Sequence, residues 1–203
     1  MITIIDFGMG NLRSVQKAFE RIGVPAVITS SPGDVVSAEK LILPGVGHFG
    51  RAMKILAAKG LDTAIKHAVA DKNVPILGIC LGMQLLSAYS EEGLVSGLGL
   101  IDAQTKQFNG LSGLKIPHMG WNAIKPLKAS SLHDGLSVED PFYFVHSYYV
   151  ACNNPKDRLF QTDYGSSFDS GFQRGHIAGF QFHPEKSHRA GLLLLNNFAK
   201  SGQ

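Results

Sequence analysis

A cysteine stands where a predicted buried strand meets a predicted helix. The apolar run 74–79 is typical of a buried strand, 81–89 has helical spacing, and Cys80 lies between them in the pattern Gly-x-Cys-x-Gly. This is the pattern of a nucleophile elbow, whose strained turn requires small residues two positions before and after the nucleophile. The start of the helix favours the thiolate form and leaves the Leu81 N–H free to stabilise an oxyanion. We therefore interpret Cys80 as a nucleophile, and Cys152, which lacks such a context, as a packing residue.

A thiol nucleophile needs a base, and one of the eight histidines stands out. His183 is followed by Pro184, which favours an extended backbone at His183, and residues two apart in an extended segment face the same side. Glu185 is therefore expected to orient the imidazole of His183 toward Cys80. The order nucleophile, histidine, acid differs from the order in α/β-hydrolases. A metal site formed by His183, Glu185 and His188 is an alternative, but no second cluster at recognisable ligand spacing supports it.

A loop with two glycines follows another predicted strand. Residues 40–43 lead into Pro-Gly-Val-Gly at 44–47, and a helical segment comes next. The backbone N–H of Val46 or Gly47 is a candidate second oxyanion donor, while an ordinary strand-to-helix turn is the alternative. The loop does not fit a dinucleotide-binding fingerprint, because Gly50 comes too early for the third glycine.

The elements that would position these residues alternate in the first half of the chain. Predicted strands there are 2–5, 24–28, 40–43 and 74–79, and predicted helices are 12–22, with Asn11 as its cap, 49–59, 61–71 and 81–89. Such alternation predicts an α/β fold: a flavodoxin-like, mostly parallel sheet with helices on both faces.

The second half of the chain is strand-rich. Predicted strand-like segments are 99–108, 121–127, 141–150, 158–163 and 167–182, several of them as antiparallel hairpins, and a closing helix covers 190–200. We interpret these segments as an antiparallel β-layer added to the same sheet. No linker or internal repeat interrupts the sequence, so we expect one domain over 1–203.

Composition excludes several classes of protein. Of 203 residues, 44% are hydrophobic and 17% charged, which provides a core and excludes disorder. The net charge of +3 comes without clustered Lys or Arg, so we expect no nucleic-acid partner. No apolar run is long enough to span a bilayer, and the N-terminus does not read as a signal peptide. Two cysteines form no disulfide framework, and we expect a cytoplasmic protein.

The cysteine elbow, the His-Pro-Glu segment and the Pro-Gly loop together resemble the class I (triad) glutamine amidotransferases. The resemblance implies a glutaminase that needs no cofactor or metal, with Cys80 as nucleophile, His183 as base and acid, and Glu185 as its orienting group. By the same match, the residues expected to bind glutamine are Gly47, Gln84 and Ser147, the last through backbone groups.

Further segments narrow the resemblance to one branch of this family. Residues 6–11 (Asp-Phe-Gly-Met-Gly-Asn), 117–122 (Pro-His-Met-Gly-Trp-Asn), 143–148 and 183–187 resemble the glutaminase subunits of imidazole glycerol phosphate synthase. One departure is Phe7, where relatives often have Tyr. The resemblance implies a heterodimer in which ammonia passes to a (β/α)8-barrel cyclase subunit. The expected interface residues are Asn11, Met119, Trp121, Asn122 and Lys186.

Two other functions remain open from the sequence. A free-standing cysteine hydrolase of similar fold would cleave peptides or γ-glutamyl bonds and would need no partner surface at 117–122. A flavodoxin-like binding module without catalysis would use the glycine loops for phosphate, and the set Cys80, His183 and Glu185 argues against it.

Overall fold

A mixed sheet of twelve strands and a separate two-stranded ribbon form the framework of the protein, whose computed structural model describes residues 1–108 and 114–201. The strands are β1 (Ile2–Ile5), β2 (Ala26–Thr29), β3 (Leu41–Gly45), β4 (Ile76–Cys80), β5 (Tyr89–Ser90), β6 (Val95–Ser96), β7 (Ala103–Gln107), β8 (His118–Ala123), β9 (Lys125–Pro126), β10 (Pro141–His146), β11 (Tyr148–Cys152), β12 (Arg158–Tyr164), β13 (Ser166–Arg174) and β14 (Ile177–Phe180). The helices are α1 (Leu12–Arg21), α2 (Pro32–Val36), α3 (Phe49–Ala58), α4 (Leu61–Lys66), α5 (Leu81–Leu85) and α6 (His188–Lys200). The main sheet has the order β2-β1-β3-β4-β14-β13-β11-β7-β5-β6, with β12 and β9 alongside β13, and the ribbon pairs β8 with β10.

Five neighbouring strands, from β2 to β14, are parallel and need cover on both faces. Side chains alternate along each strand between two hydrophobic cores. Ile4 and Ile42 belong to the core that includes α1 and α6, whereas Ile5 and Leu43 belong to the core that includes α3 and α4. The predicted α/β fold, with a mostly parallel sheet and helices on both faces, is confirmed.

The parallel arrangement decides where the chemistry lies. The segments that follow β1, β3, β4 and β14 all emerge at the same edge of the sheet, because the carboxyl ends of parallel strands point the same way. These segments carry the glycine loops, Cys80 and His183. Distant parts of the sequence therefore meet at one edge.

Two strand-like segments of the second half are each divided. Segment 167–182 contains β13 and β14, which do form an antiparallel pair, but β14 also adds to β4 as the fifth parallel strand. Segment 141–150 breaks at Ser147: β10 pairs with β8 in the ribbon, whereas β11 joins β7 and β13 in the main sheet. The predicted antiparallel layer is therefore present, but it is split between two sheets.

Several predicted boundaries are wrong for local reasons. The helix predicted over 81–89 ends at Leu85, because Tyr89 and Ser90 pair with β6 and β7. Helix α2 was not predicted, since its five residues are too few to show a helical period; Ser31 caps it through a hydrogen bond from the Asp34 N–H. The helix predicted over 61–71 changes to a π-helical turn from His67. The strand predicted at 121–127 begins at His118 instead.

Among the described residues, no helix has the length and apolar character required to cross a bilayer.

Candidate active site

Cys80 ends β4 and begins α5 in a strained conformation. Its φ is +56° and its ψ is −114°, a combination that residues with a side chain rarely adopt and that costs about 1–3 kcal/mol. The expected strand-to-helix elbow is therefore present. The first N–H groups of a helix lack partners within the helix, so the Leu81 N–H has none within α5.

Two glycines make the elbow sterically possible. A side chain on Gly82 would overlap the carbonyl oxygen of Leu43 on the neighbouring strand, and one on Gly78 would come within 2.6 Å of the Gly82 carbonyl oxygen. Real Cβ atoms do not approach other atoms this closely. The requirement for small residues two positions before and after Cys80 is therefore set by the close approach of β4 to α5 at Gly78 and of α5 to β3 at Gly82.

His183 and Glu185 form a buried pair. The imidazole Nδ1 of His183 lies 2.8 Å from Oε1 of Glu185, and both side chains are almost completely shielded from water. His183 has the extended backbone expected before Pro184, but Glu185 lies in a 3₁₀ turn over Pro184–Lys186. The two side chains thus meet because the turn folds Glu185 back toward the ring, and not because both belong to one extended segment.

The charge state of His183 follows from its neighbours. Burial by itself lowers the pKa of the imidazole, but the opposite charges of Cys80 and Glu185 outweigh burial and raise the pKa to about 10. The second ring nitrogen, Nε2, has no hydrogen-bond partner among the described residues. The surroundings therefore favour the protonated imidazole of His183 at neutral pH.

A cavity of about 380 Å³ opens beside Cys80 and His183. Its wall is built from the loop after β3, the elbow, the segment around Ser147, and Glu92. The lining residues are Val46, Gly47, Cys80, Leu81, Gln84, Glu92, Pro117, Val145, His146, Ser147, Tyr148 and His183. All the residues that the sequence suggests for catalysis and substrate binding, except the shielded Glu185, therefore line one space.

The glycine loop is close to the cavity, but one of its two candidate donors is already used. The N–H of Val46 donates to the carbonyl of Met9 in the loop after β1, at 3.3 Å. Gly47 has a φ of +106°, which suits glycine, and the Met9 side chain lies against it. In this conformation the Val46 N–H does not point a free hydrogen into the cavity.

Gln84 and Ser147 both line the cavity. The amide nitrogen of Gln84 donates to the carbonyl of Tyr148 at 3.0 Å and to Oε1 of Gln181 at 3.1 Å. Ser147 occupies the break between β10 and β11, and its carbonyl accepts a hydrogen bond from the Phe108 N–H at 3.3 Å.

The residues suggested for the partner interface differ in their exposure and local contacts. Met119 and Trp121 share the outer face of the ribbon and are 62% and 48% exposed, although both are apolar. Asn122 lies on the inner face of β8 and donates to the carbonyl of Asp163 at 3.0 Å. Asn11 is exposed but caps α1 through a hydrogen bond from the Ser14 N–H.

Lys186 extends the exposed face of the ribbon. Its Nζ lies 5.5 Å from the centre of the Tyr143 ring, and Tyr143 is paired with Trp121 across the ribbon. The ring of His188 stacks on Trp121 with an angle of 4° between the planes. His188 therefore belongs to this face and not to a metal site with His183, and among the described residues no group of three metal-binding side chains is found.

Gln181 and Glu92 were missed by the sequence analysis. Gln181 is fully buried, and its amide nitrogen lies 3.9 Å from Sγ of Cys80. It precedes His183 by two residues, and the period of two used for Glu185 would have found it. Glu92 accepts a hydrogen bond from the Phe49 N–H at 2.7 Å and lines the cavity, but it lies in a turn with no sequence signal.

A pair of buried histidines lies behind the cavity wall. Nδ1 of His118 is 3.0 Å from Nε2 of His146, and Nδ1 of His146 is 2.8 Å from the carbonyl oxygen of Tyr148. Burial lowers the pKa of His118 to about 4 and that of His146 to about 3. Both rings are therefore neutral at physiological pH.

Comparison with known proteins identifies the family. The profile of the family described as glutamine amidotransferase class-I matches residues 3–201. The chain belongs to the class I glutamine amidotransferases. Solved structures of similar fold agree with the architecture: the structure of PurLQS from Thermotoga maritima has a TM-score of 0.77 at 17% identity, with 98% of this chain and 96% of that chain covered. A glutamine amidotransferase from Thermotoga maritima has a TM-score of 0.64 at 18% identity, with 98% and 81% covered.

Curated relatives within the glutamine amidotransferases are much closer in sequence. The imidazole glycerol phosphate synthase subunit HisH 2 of Methanococcus maripaludis is 48% identical over 200 residues, which cover 98% of this chain and 99% of that protein. The subunit HisH of Moorella thermoacetica is also 48% identical over 200 residues, with 98% and 94% covered. Similarity to proteins of this name therefore extends over nearly the whole chain, including the elbow and the ribbon.

Proposed function

We propose that this protein is the glutaminase subunit of imidazole glycerol phosphate synthase, which releases ammonia from glutamine for a cyclase subunit in histidine biosynthesis. The observation that carries the proposal is the set of Cys80, His183 and Glu185 at one cavity, in a chain 48% identical to subunits of that name over nearly their full length. The cavity volume of about 380 Å³ suits a single amino acid as substrate.

Cys80 would begin the reaction as a thiolate. Its sulfur attacks the side-chain carboxamide carbon of glutamine, and the C–S bond forms as the carbonyl oxygen becomes an oxyanion. His183 then donates the proton on Nε2 to the departing nitrogen, the C–N bond breaks, and ammonia leaves a thioester on Cys80. The protonated state of His183 at neutral pH suits this first step.

Water would complete the cycle. After loss of its proton, His183 is a base that takes a proton from water, which attacks the thioester carbon. The C–S bond breaks, glutamate leaves, and the thiolate and imidazolium are restored. Glu185 keeps the ring oriented through Nδ1 in both halves of the cycle and stabilises its positive charge.

We assign the oxyanion to the N–H of Leu81, together with a donor from the loop at Val46 and Gly47. Leu81 is the first residue of α5, so its N–H has no partner within the helix. In the present conformation Gly47 is the better second candidate, because the Val46 N–H is bonded to Met9.

The polar groups of the cavity would hold the amino-acid end of glutamine. The carboxylate of Glu92 is the acidic side chain on the cavity wall and suits the substrate ammonium group. Gln84 and the backbone at Ser147 lie on the remaining walls and would bind the other polar atoms of glutamine. No cofactor is needed for this chemistry.

The outer face of the ribbon is our candidate surface for the cyclase subunit. Met119 and Trp121 are exposed there, and Trp is enriched among residues that dominate binding energies. The face adjoins the site directly, because the carbonyl of Tyr143 accepts a hydrogen bond from the His183 N–H at 2.9 Å. Lys186, beside Tyr143, is included in this surface, while Asn11 and Asn122 are weaker candidates because their side chains already have local partners.

The decisive experiment separates ammonia production from ammonia use. We expect Cys80→Ala, assembled with a cyclase subunit, to lose glutamine-dependent synthesis while ammonia-dependent synthesis by the cyclase continues. Loss of both activities in a correctly assembled complex would contradict the role as ammonia donor. Release of ammonia from γ-glutamyl peptides in preference to glutamine would instead favour a free-standing hydrolase.

We also propose that residues 1–203 act as one domain in the cytoplasm. The two cysteines are free thiols, which suits a reducing compartment. Both the cavity and the main sheet depend on segments from the two halves of the sequence, which supports a single unit.

A further inference from the structure

Gln181 approaches the sulfur of Cys80 from the buried side. Its side chain is fully enclosed, and its Nε2 lies 3.9 Å from Sγ, within the range of a hydrogen bond to sulfur. The carbonyl of Val145 lies at the same distance from Sγ. These two neighbours distinguish the two forms of Cys80, because a carbonyl accepts only from the thiol, whereas an N–H donates to sulfur and bonds most strongly to the thiolate.

The orientation of the Gln181 amide is fixed by its neighbours. The Tyr148 carbonyl can only accept, so the Gln84 atom 3.0 Å away must be the amide nitrogen. The same nitrogen therefore donates its second hydrogen to Gln181, whose facing atom must be Oε1. It follows that the remaining amide atom of Gln181, the one nearest Cys80, is the nitrogen with its hydrogens.

The carbonyl that fixes this orientation is itself held. Nδ1 of His146 also contacts the Tyr148 oxygen, and because a carbonyl can only accept, this Nδ1 must carry the hydrogen. The other nitrogen of the neutral ring, Nε2, is therefore an acceptor. His118 then donates from Nδ1 and accepts at Nε2 from Asn122, 3.4 Å away. A continuous series of hydrogen bonds thus links Asn122 on the ribbon to Gln181, and in each bond only one of the two groups can be the donor.

We propose that Gln181 is a positioning residue that stabilises the thiolate of Cys80 through its side-chain N–H. The inference deepens the proposed function, because it concerns the sulfur that the proposed glutaminase would use. Its test requires only the free protein, without glutamine or a cyclase subunit. Without this donor, the Val145 carbonyl and the apolar surroundings would favour the uncharged thiol.

The test is the pH dependence of Cys80 alkylation by iodoacetamide in the free protein. Gln181→Met removes the donor with little change in volume, and Gln181→Leu removes it with a different shape. We expect both variants to raise the pH midpoint of alkylation by about one unit, the lower end for a hydrogen bond to a charged group. Circular dichroism and thermal unfolding would establish that each variant is folded.

Three controls make the measurement specific. Cys80→Ala gives the background, which should be negligible because burial raises the pKa of Cys152 to about 12. Gln173→Met makes the same replacement away from the elbow, where Gln173 accepts from Ser130, and should leave the midpoint unchanged. Glutamine hydrolysis by the unmodified protein, with and without a cyclase, is measured separately.

The outcomes separate this inference from the proposed function. An unchanged midpoint in a folded Gln181 variant overturns the role of Gln181, even if the unmodified protein hydrolyses glutamine. A shift in only one of the two variants would also overturn it, since the effect would then follow shape. A raised midpoint in both supports the inference, even if the protein proves inactive on glutamine and the proposed function fails.

Discussion

Acid should destabilise the protein through the buried histidine pair. Unfolded His146 has a pKa of about 6.5, but burial keeps the folded side chain neutral down to a pKa of about 3. The unfolded state therefore binds more protons between these values. Stability that is fully present above pH 6.5 is lost as the pH falls toward 3.

The magnitude at pH 5 does not depend on the exact pKa of the folded state. The unfolded imidazole is protonated about 30-fold more than it is neutral at that pH, while folded His146 is still neutral. This difference destabilises the protein by about 2 kcal/mol between pH 7 and pH 5. His118, with its pKa lowered to about 4, acts in the same direction.

Urea unfolding followed by circular dichroism at pH 7 and pH 5 would measure this loss. The matched variant is His146→Asn, which does not titrate but keeps an N–H near the position of Nδ1 for the Tyr148 carbonyl. We expect the unmodified protein to lose about 2 kcal/mol more than the variant between the two pH values. The His183 contribution is common to both proteins and cancels. Equal losses in the two proteins would refute the reasoning.

Three further predictions concern the elbow, the triad and the ribbon. Gly82→Ala should destabilise the fold by about 4 kcal/mol, because the new methyl would overlap the Leu43 carbonyl; urea unfolding measures this, and a loss below about 1 kcal/mol would contradict it. Cys80→Ala should lower the pKa of His183 below its present value of about 10, since the opposite charge is removed. NMR titration of the imidazole measures this pKa, and an unchanged value would contradict the prediction. Trp121→Ala should weaken binding of the cyclase subunit by about 30-fold in Kd, measured by calorimetry. An unchanged affinity, with glutamine hydrolysis still coupled to cyclisation, would remove Trp121 from the interface.

The sequence predicts the parallel half of the fold because its signals are local. Buried strands such as 74–79 are uninterrupted apolar runs, and Gly78, Cys80 and Gly82 mark the turn by their types alone. The approach of the His-Pro-Glu segment to the elbow is predicted instead from residue types, because a cysteine nucleophile needs a base and the base needs an orienting acid. The structure has both at one cavity.

The remaining features depend on contacts between distant residues. Segment 141–150 has strand character throughout, and only Ser147 marks the point where it passes from the ribbon to the main sheet. The parallel pairing of β14 with β4 is likewise decided by a neighbour about 100 positions away, not by its own residues. The Val46 N–H is bonded to Met9 for the same kind of reason, because the two loops meet only in the folded protein.

The series of hydrogen bonds that links Asn122 to Gln181 also restricts how this sequence can vary in evolution. His118 and His146 each accept on one side and donate on the other, the Tyr148 carbonyl accepts from both sides, and Gln84 donates both hydrogens of its amide. A single replacement therefore leaves a buried group without a partner. Polar replacements at His118, His146 and Gln84 are therefore expected to occur together rather than one at a time. Relatives should retain the whole series of hydrogen-bonding residues or have replaced all of them together.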